Sequence, residues 1–258
     1  MPPRLRRLLA PPLVVLAFAL SLTVSLRVRP ATYRIEPTTA GIAVYLLLAA
    51  ASAAVPAVTY ALVTGAFRRR PAAWDSNPAG HRFSAPPSPR QAAAMITSAG
   101  LVAQVVPVER VPNQDQVRIA QLGAFTMIMI VVVAVYLITI VVLSMTNSPS
   151  IVLSPKGLTL RRPLRRDEIR WDKLLPGGPP RPAKRNPGTI DVLRSAATPG
   201  RPAERLSLPS DGLHIDAAFL AYAIRWYVEH PDRRAQIGNA LELAELLRGF
   251  ASENATPP

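Results

Sequence analysis

Long uncharged apolar runs alternate in this chain with stretches dense in arginine and proline. Leu8–Leu26 is 19 residues without a charge, preceded by Arg4, Arg6 and Arg7, and a helix needs about 20 apolar residues to cross the hydrocarbon core. The run contains Ala17-Phe18-Ala19 but ends in Leu26-Arg27-Val28-Arg29-Pro30, a poor cleavage context, so an uncleaved helix is expected rather than a signal peptide. Gly41–Phe67 carries no ionisable group except Tyr45 and Tyr60 and stops at Arg68-Arg69-Arg70-Pro71. Its centre, Ala49–Ala57, is almost wholly small, which lets a second helix approach closely in lipid. Residues 123–146 form the most apolar stretch, rich in β-branched side chains. Because lipid leaves the backbone no partner but itself, length decides for helix.

Between the second and third of these spans, 68–122 opens as a polar segment of Pro, Ser, Asn and Gly. Residues 91–108 are then uncharged but contain Gln91, Gln104 and Pro107, so a weak fourth span or an interfacial helix is expected there. The period changes after Asn147. Ser150–Ser154, Leu158–Arg162, Glu168–Leu175, Thr189–Ser195, Arg205–Leu208 and Leu213–Ile215 read as short strands, with Trp171 inward in the third. Leu175–Gly188 holds five prolines and three glycines and must be irregular. Asp216 stands at a helix N-cap position. Phe219, Leu220, Ala223, Ile224 and Tyr227 follow as one apolar stripe. Asp232–Gly238 reads as a short helical turn, Asn239–Phe250 as a second helix, and 251–258 as a disordered tail.

Composition adds orientation. The 258 residues carry a net charge of +14, with no cysteine and only three histidines, far apart. This excludes a disulfide framework, a thiol nucleophile and a cysteine-based zinc site. With four spans and the N-terminus inside, the inward segments 1–7 and 68–90 hold 3 and 5 Arg and the basic C-terminal part follows, as the positive-inside rule requires. Three spans with the N-terminus inside would export that part, against the same rule, and three spans with the N-terminus outside is the alternative. No Asp, Glu, Lys, Arg or His falls within the three clear spans, which argues against transport or intramembrane catalysis.

The fold class expected is a helical membrane anchor (1–147) followed by a small α+β domain (148–250), a bent antiparallel sheet capped by a C-terminal helix. IVLSPKGLTLRRPLRRDEIRWDKL (Ile151–Leu174) and LHIDAAFLAYAIRWYVEHPDRRAQIG (Leu213–Gly238) resemble bacterial PH-like domains of actinobacterial membrane proteins. The likeness lies in the P-x-G-L turn at Pro155–Leu158, a tryptophan after a basic run, and a helix closing on HP-x-x-R. It covers about 90 residues. The resemblance implies protein binding, or contact with anionic lipid head groups through basic residues.

Lys156, Arg161, Arg162, Arg165, Arg166 and Arg170 are the candidates for such contact. The short Pro155–Gly157 turn differs from a phosphoinositide-binding loop, and Arg161 and Arg162 face opposite sides of a strand. A diffuse basic surface against an anionic leaflet is the reading they allow. No phosphate loop, dinucleotide fingerprint, zinc-protease motif or nucleophile elbow occurs, so no catalytic, cofactor or metal site is expected. The chain therefore reads as a non-enzymatic multi-pass protein of the cell membrane. Its partners are the bilayer, anionic head groups and a protein, not nucleic acid. The alternative is a subunit of a transport or envelope-assembly complex whose helices make the contacts.

Overall fold

The computed structural model describes residues 3–32, 35–68, 70–110, 117–120, 123–146, 148–184, 187–195 and 203–255. The expected boundary at residue 147 and the last three residues of the expected tail lie outside the described residues. Two compact units emerge. One comprises 1–67 and 89–146, the other 68–88 and 147–258.

The first unit is helical. Helix α1 (Pro3–Thr23) continues through a π-turn at Val24–Val28 into α2 (Arg29–Thr32). After these come α3 (Thr38–Thr64), α4 (Pro89–Val102) with a 3-10 turn at Ala103–Val105, and α5 (Ala124–Met145). Strands β3 (Val108–Arg110) and β4 (Val117–Ile119) form a small hairpin. Among the described residues three helical stretches are long and apolar enough to cross a membrane: Leu5–Thr32, α3 and α5.

Helix α4 is shorter, about 21 Å at 1.5 Å per residue. It packs within the unit, with Ile96, Ala99, Gly100 and Ala103 all buried. Ile96 and Ala99 pack with Ala10, Val14 and Ala17 of α1, Ala57 and Tyr60 of α3, and Ile140 of α5. The alanine stripe of α3 accordingly faces inward, with Ala49, Ala53 and Ala57 buried. Both ends of α4 are pinned. Arg90 Nε donates to the Ala66 carbonyl at 2.8 Å, beside the end of α3. At the other end Gln104 accepts from Tyr45 Oη and Ser25 Oγ, each at 2.6 Å, and donates to the Ser21 carbonyl at 3.2 Å. Helix α4 thus runs antiparallel to α3 along its length.

The second unit is built on a five-stranded antiparallel sheet in the order β1-β2-β5-β6-β7. Its strands are β1 (Asp75–Asn77), β2 (Arg82–Ala85), β5 (Ser150–Ser154), β6 (Gly157–Arg161) and β7 (Arg166–Arg170). A two-stranded sheet, β8 (Thr189–Arg194) and β9 (Glu204–Pro209), follows, then α6 (Ala217–Glu229), a 3-10 segment Pro231–Gln236 and α7 (Ala240–Ala255). One apolar face of the main sheet meets the helices. Phe83, Ile151, Leu153, Leu158, Leu160, Phe219, Ile224 and Tyr227 share a core and are essentially inaccessible. Asp216 caps α6, its Oδ1 accepting from the backbone N–H groups of Ala218 and Phe219 at 2.9 and 3.1 Å.

Several expectations need correction. The polar segment expected as loop after residue 68 supplies β1 and β2, so the sheet unit is not confined to 148–250. The third strand is Arg166–Arg170 rather than Glu168–Leu175, because Trp171 opens a 3-10 turn that turns the chain off the sheet edge. Leu213–Ile215 is not a strand; Leu213 makes one isolated bridge to Pro87. The last helix runs on to Ala255, so 251–255 is not disordered.

Gly100 marks a close helix crossing in the first unit. A Cβ there would sit 2.6 Å from Ala53 Cβ and 3.1 Å from Ser21 Oγ, whereas one at Gly123 would meet nothing within 4 Å. Gly100→Ala is expected to destabilise the protein by about 1–3 kcal/mol through overpacking, and Gly123→Ala far less, measured by thermal unfolding in detergent.

Candidate functional site

Alternation along the strands of the main sheet puts Ile151, Leu153, Leu158, Leu160 and Ile169 on the core side and their neighbours on the other. On the outer face the register sets Ser150, Arg161 and Arg166 in one cross-strand row. Val152, Thr159 and Glu168 form the next, and Ser154, Gly157 and Arg170 the third. A depression of about 340 Å³ lies over this face, and its charged lining is Arg82, Lys156, Arg161, Arg166, Arg170 and Glu168. Five cations therefore converge around one carboxylate.

Of the six basic residues expected at the contact, Lys156, Arg161, Arg166 and Arg170 line the depression. Arg162 and Arg165 do not. They bracket the β6–β7 turn, where the Arg162 N–H donates to the Arg165 carbonyl at 2.7 Å. Arg82 joins from β2 and was not expected. The only hint in sequence is the alternation Arg82-Phe83-Ser84-Ala85, too short to single out a strand. Three exposed ion pairs run along β7 and its ends: Arg165–Asp167 and Arg166–Glu168 at 2.5 Å, and Arg170–Asp172 at 3.2 Å. Exposed pairs of this kind contribute at most about 1 kcal/mol, so they trim the positive field without cancelling it. No carboxylate pairs with Lys156 or Arg161 among the described residues.

The tryptophan and the HP-x-x-R segment position this face from behind. Trp171 is buried, donates its Nε1–H to the Ser154 carbonyl at 2.8 Å and packs on the Tyr227 ring at 5.9 Å. The Arg234 guanidinium lies 5.6 Å over the Trp171 ring and donates to the Tyr227 and Val228 carbonyls at 2.7 and 3.1 Å. It thereby caps the end of α6, where free carbonyls favour a cation. Burial pulls Arg234 below its ordinary value, with Asp172 acting the other way. Tyr227 donates to the buried Glu242 at 3.3 Å, and burial first, then that carboxylate, push its phenol well above the ordinary range. This cluster lines neither of the cavities described here and works as internal bracing.

A second cavity of similar size, about 340 Å³, is an apolar groove on α3 and α4. It is lined mostly by alanines, including Ala54, Ala57 and Ala61, with Arg90 at one end. Among the described residues no group of three or more His, Cys, Asp or Glu could hold a metal ion. Compared with models of known protein families, with curated proteins and with solved structures, the chain has no significant match.

Trp171→Ala should cost about 3–5 kcal/mol by opening the core between β5 and α6. Trp171→Phe, which keeps a ring but drops the N–H to Ser154, should recover most of that. Unfolding of the intact protein in detergent, followed by near-ultraviolet circular dichroism, ranks the two.

Proposed function

We propose that this chain is a non-enzymatic multi-pass membrane protein that displays a PH-like domain on the cytoplasmic face to bind an acidic partner protein. The observation that carries the binding is the outer sheet face, where Arg82, Lys156, Arg161, Arg166 and Arg170 surround a single Glu168.

Strand pairing supports the topology. Strand β2 precedes α4 and α5 in the chain, yet Phe83, Ser84 and Ala85 pair with Leu153, Val152 and Ile151 of β5, which follows them. An open sheet is not built across hydrocarbon, so 85 and 151 share one side of the bilayer and the chain between crosses an even number of times. Helix α5 is one crossing, and α4 with its 3-10 turn provides the other. Four crossings return the basic N-terminus, 68–88 and the sheet unit to the same side, which the charge bias assigns to the cytoplasm.

Connectivity also gives the sheet two distinct ends. Ala85, four residues before α4, and Ser150, five residues after α5, lie at one end. Arg82, the Lys156 turn and Arg170 lie at the other. The second end is turned from the tethers and open to a soluble partner. The alternative reading, in which the helices make the contacts, has the alanine groove of α3 and α4 in its favour.

Two experiments test the proposal. The absence of cysteine permits single-cysteine labelling with a membrane-impermeant maleimide at exposed positions. Thr39→Cys is expected to label in intact cells, and Ser76→Cys and Ser207→Cys only after lysis. Opposite behaviour of positions 76 and 207 would overturn the four-crossing topology, and labelling of both in intact cells would place the domain outside.

For the basic face, the triple variant Arg82→Gln, Lys156→Gln, Arg170→Gln in neutral-lipid nanodiscs should leave a heparin column at clearly lower salt than wild type. The variant Lys184→Gln, Arg194→Gln, Arg205→Gln removes the same charge elsewhere and should shift elution less. Equal shifts would mean that net charge alone binds, and the groove would then become the better contact.

A further inference from the structure

The β6–β7 turn reads Arg161-Arg162-Pro163-Leu164-Arg165-Arg166, and Leu164 at its tip is 100% exposed. The other exposed large aliphatic side chains described in the sheet unit, Leu193 and Leu241, are 42% and 74% exposed. An apolar side chain held in water between four arginines has no role in the domain's own core. The turn is nonetheless ordered, closed by backbone hydrogen bonds in both directions between Arg162 and Arg165 at 2.7 and 3.4 Å.

We infer that this turn is an anchoring tip, with Leu164 seated in the acyl boundary of the cytoplasmic leaflet and the flanking arginines on anionic lipid phosphates. The inference rests on the reading of α5 as a bilayer span. Three observations fix the leaflet as the occupant. The register pairs Ser150 with Arg161 and Arg161 with Arg166, so the tip sits at the sheet end where the chain arrives from α5.

The second observation is reach. From Met145 to Ser150 the chain extends at most about 18 Å, and two strand spacings add about 10 Å. Whatever the angle of the domain, the tip cannot stray far from the end of α5. The third is charge: the tip carries four arginines against Asp167 and Glu168, and neither Arg161 nor Arg162 has an ion-pair partner among the described residues. An apolar residue framed by cations is the composition that interfacial segments use against anionic lipid.

The test labels single cysteines with an environment-sensitive bimane in the full-length protein, using Leu164→Cys, Lys156→Cys and Met145→Cys. Each is reconstituted in nanodiscs of phosphatidylcholine alone or with phosphatidylglycerol, with brominated acyl chains as quencher. The expected result is a blue shift and quenching at 164 in the anionic discs, much reduced in neutral ones, with no change at 156. Adding Arg161→Gln, Arg162→Gln, Arg165→Gln and Arg166→Gln to the 164 variant should abolish the quenching.

A label at 164 that stays water-like in anionic discs while the label at 145 is quenched would overturn the tip. If neither 145 nor 164 is quenched, the span itself fails and the inference falls with it. Quenching at 164 that is equal in neutral discs, or unaffected by the four glutamines, would overturn the part assigned to anionic lipid.

Discussion

Everything in the sheet unit depends on a three-residue ladder between β2 and β5 that closes over 64 intervening residues, 86–149. Loop closure of that length is entropically unfavourable, though the cost grows only logarithmically with length. The ladder is held from inside. Phe83, Ala85, Ile151 and Leu153 are all 0% exposed, and Trp74 packs at 6.5 Å from Phe83. Burying side chains of this size contributes about 1.5–3 kcal/mol each for the larger ones. Gly238 adds a close approach: at φ +97° it lies where a Cβ would come within 2.5 Å of the Arg82 backbone nitrogen. The segment between α6 and α7 therefore packs directly on the start of β2.

That ladder was the least legible part of the sequence, and the reason is physical. β1 and β2 are three and four residues long, among Pro, Ser, Asn and Gly, and β1 is exposed throughout. A strand of four residues carries one alternation, and its stability comes from partners supplied much later in the chain. Strands β5 and β6 were legible because β-branched and leucine residues alternate around a turn formed by Pro155, Lys156 and Gly157. The cap at Asp216 and the stripe through Tyr227 were legible because helix ends and periodicity are local. The basic cluster was legible as composition only. Which cations share a face was set by a register that the sequence does not display.

The same register changes the meaning of the charge. Read along the chain, Lys156 to Arg170 is one basic block. On the sheet it divides into Arg82, Lys156 and Arg170 at one end and the Arg161–Arg166 turn at the other, about 13 Å apart along a five-residue strand. A separation of that size exceeds the Debye length of about 8 Å at physiological ionic strength, so the two ends act largely independently on exposed ligands.

The helical unit meets a complementary requirement at the two ends of its short helix. In hydrocarbon an unpaired backbone or side-chain polar group costs several kcal/mol, so a short helix between longer ones must be satisfied at both ends. α4 begins where Gly65, in the left-handed region at φ 70°, has ended α3 and left the Ala66 carbonyl to Arg90. It finishes where Gln104 takes up the hydroxyls of Ser25 and Tyr45 and the Ser21 carbonyl. Between these ends the buried positions are Ile96, Ala99 and Gly100, and the small ones allow a close approach to α1 and α3. Close packing and two polar ends thus hold a helix that length and apolarity alone do not single out, and among the described residues those two criteria pick three other helical stretches.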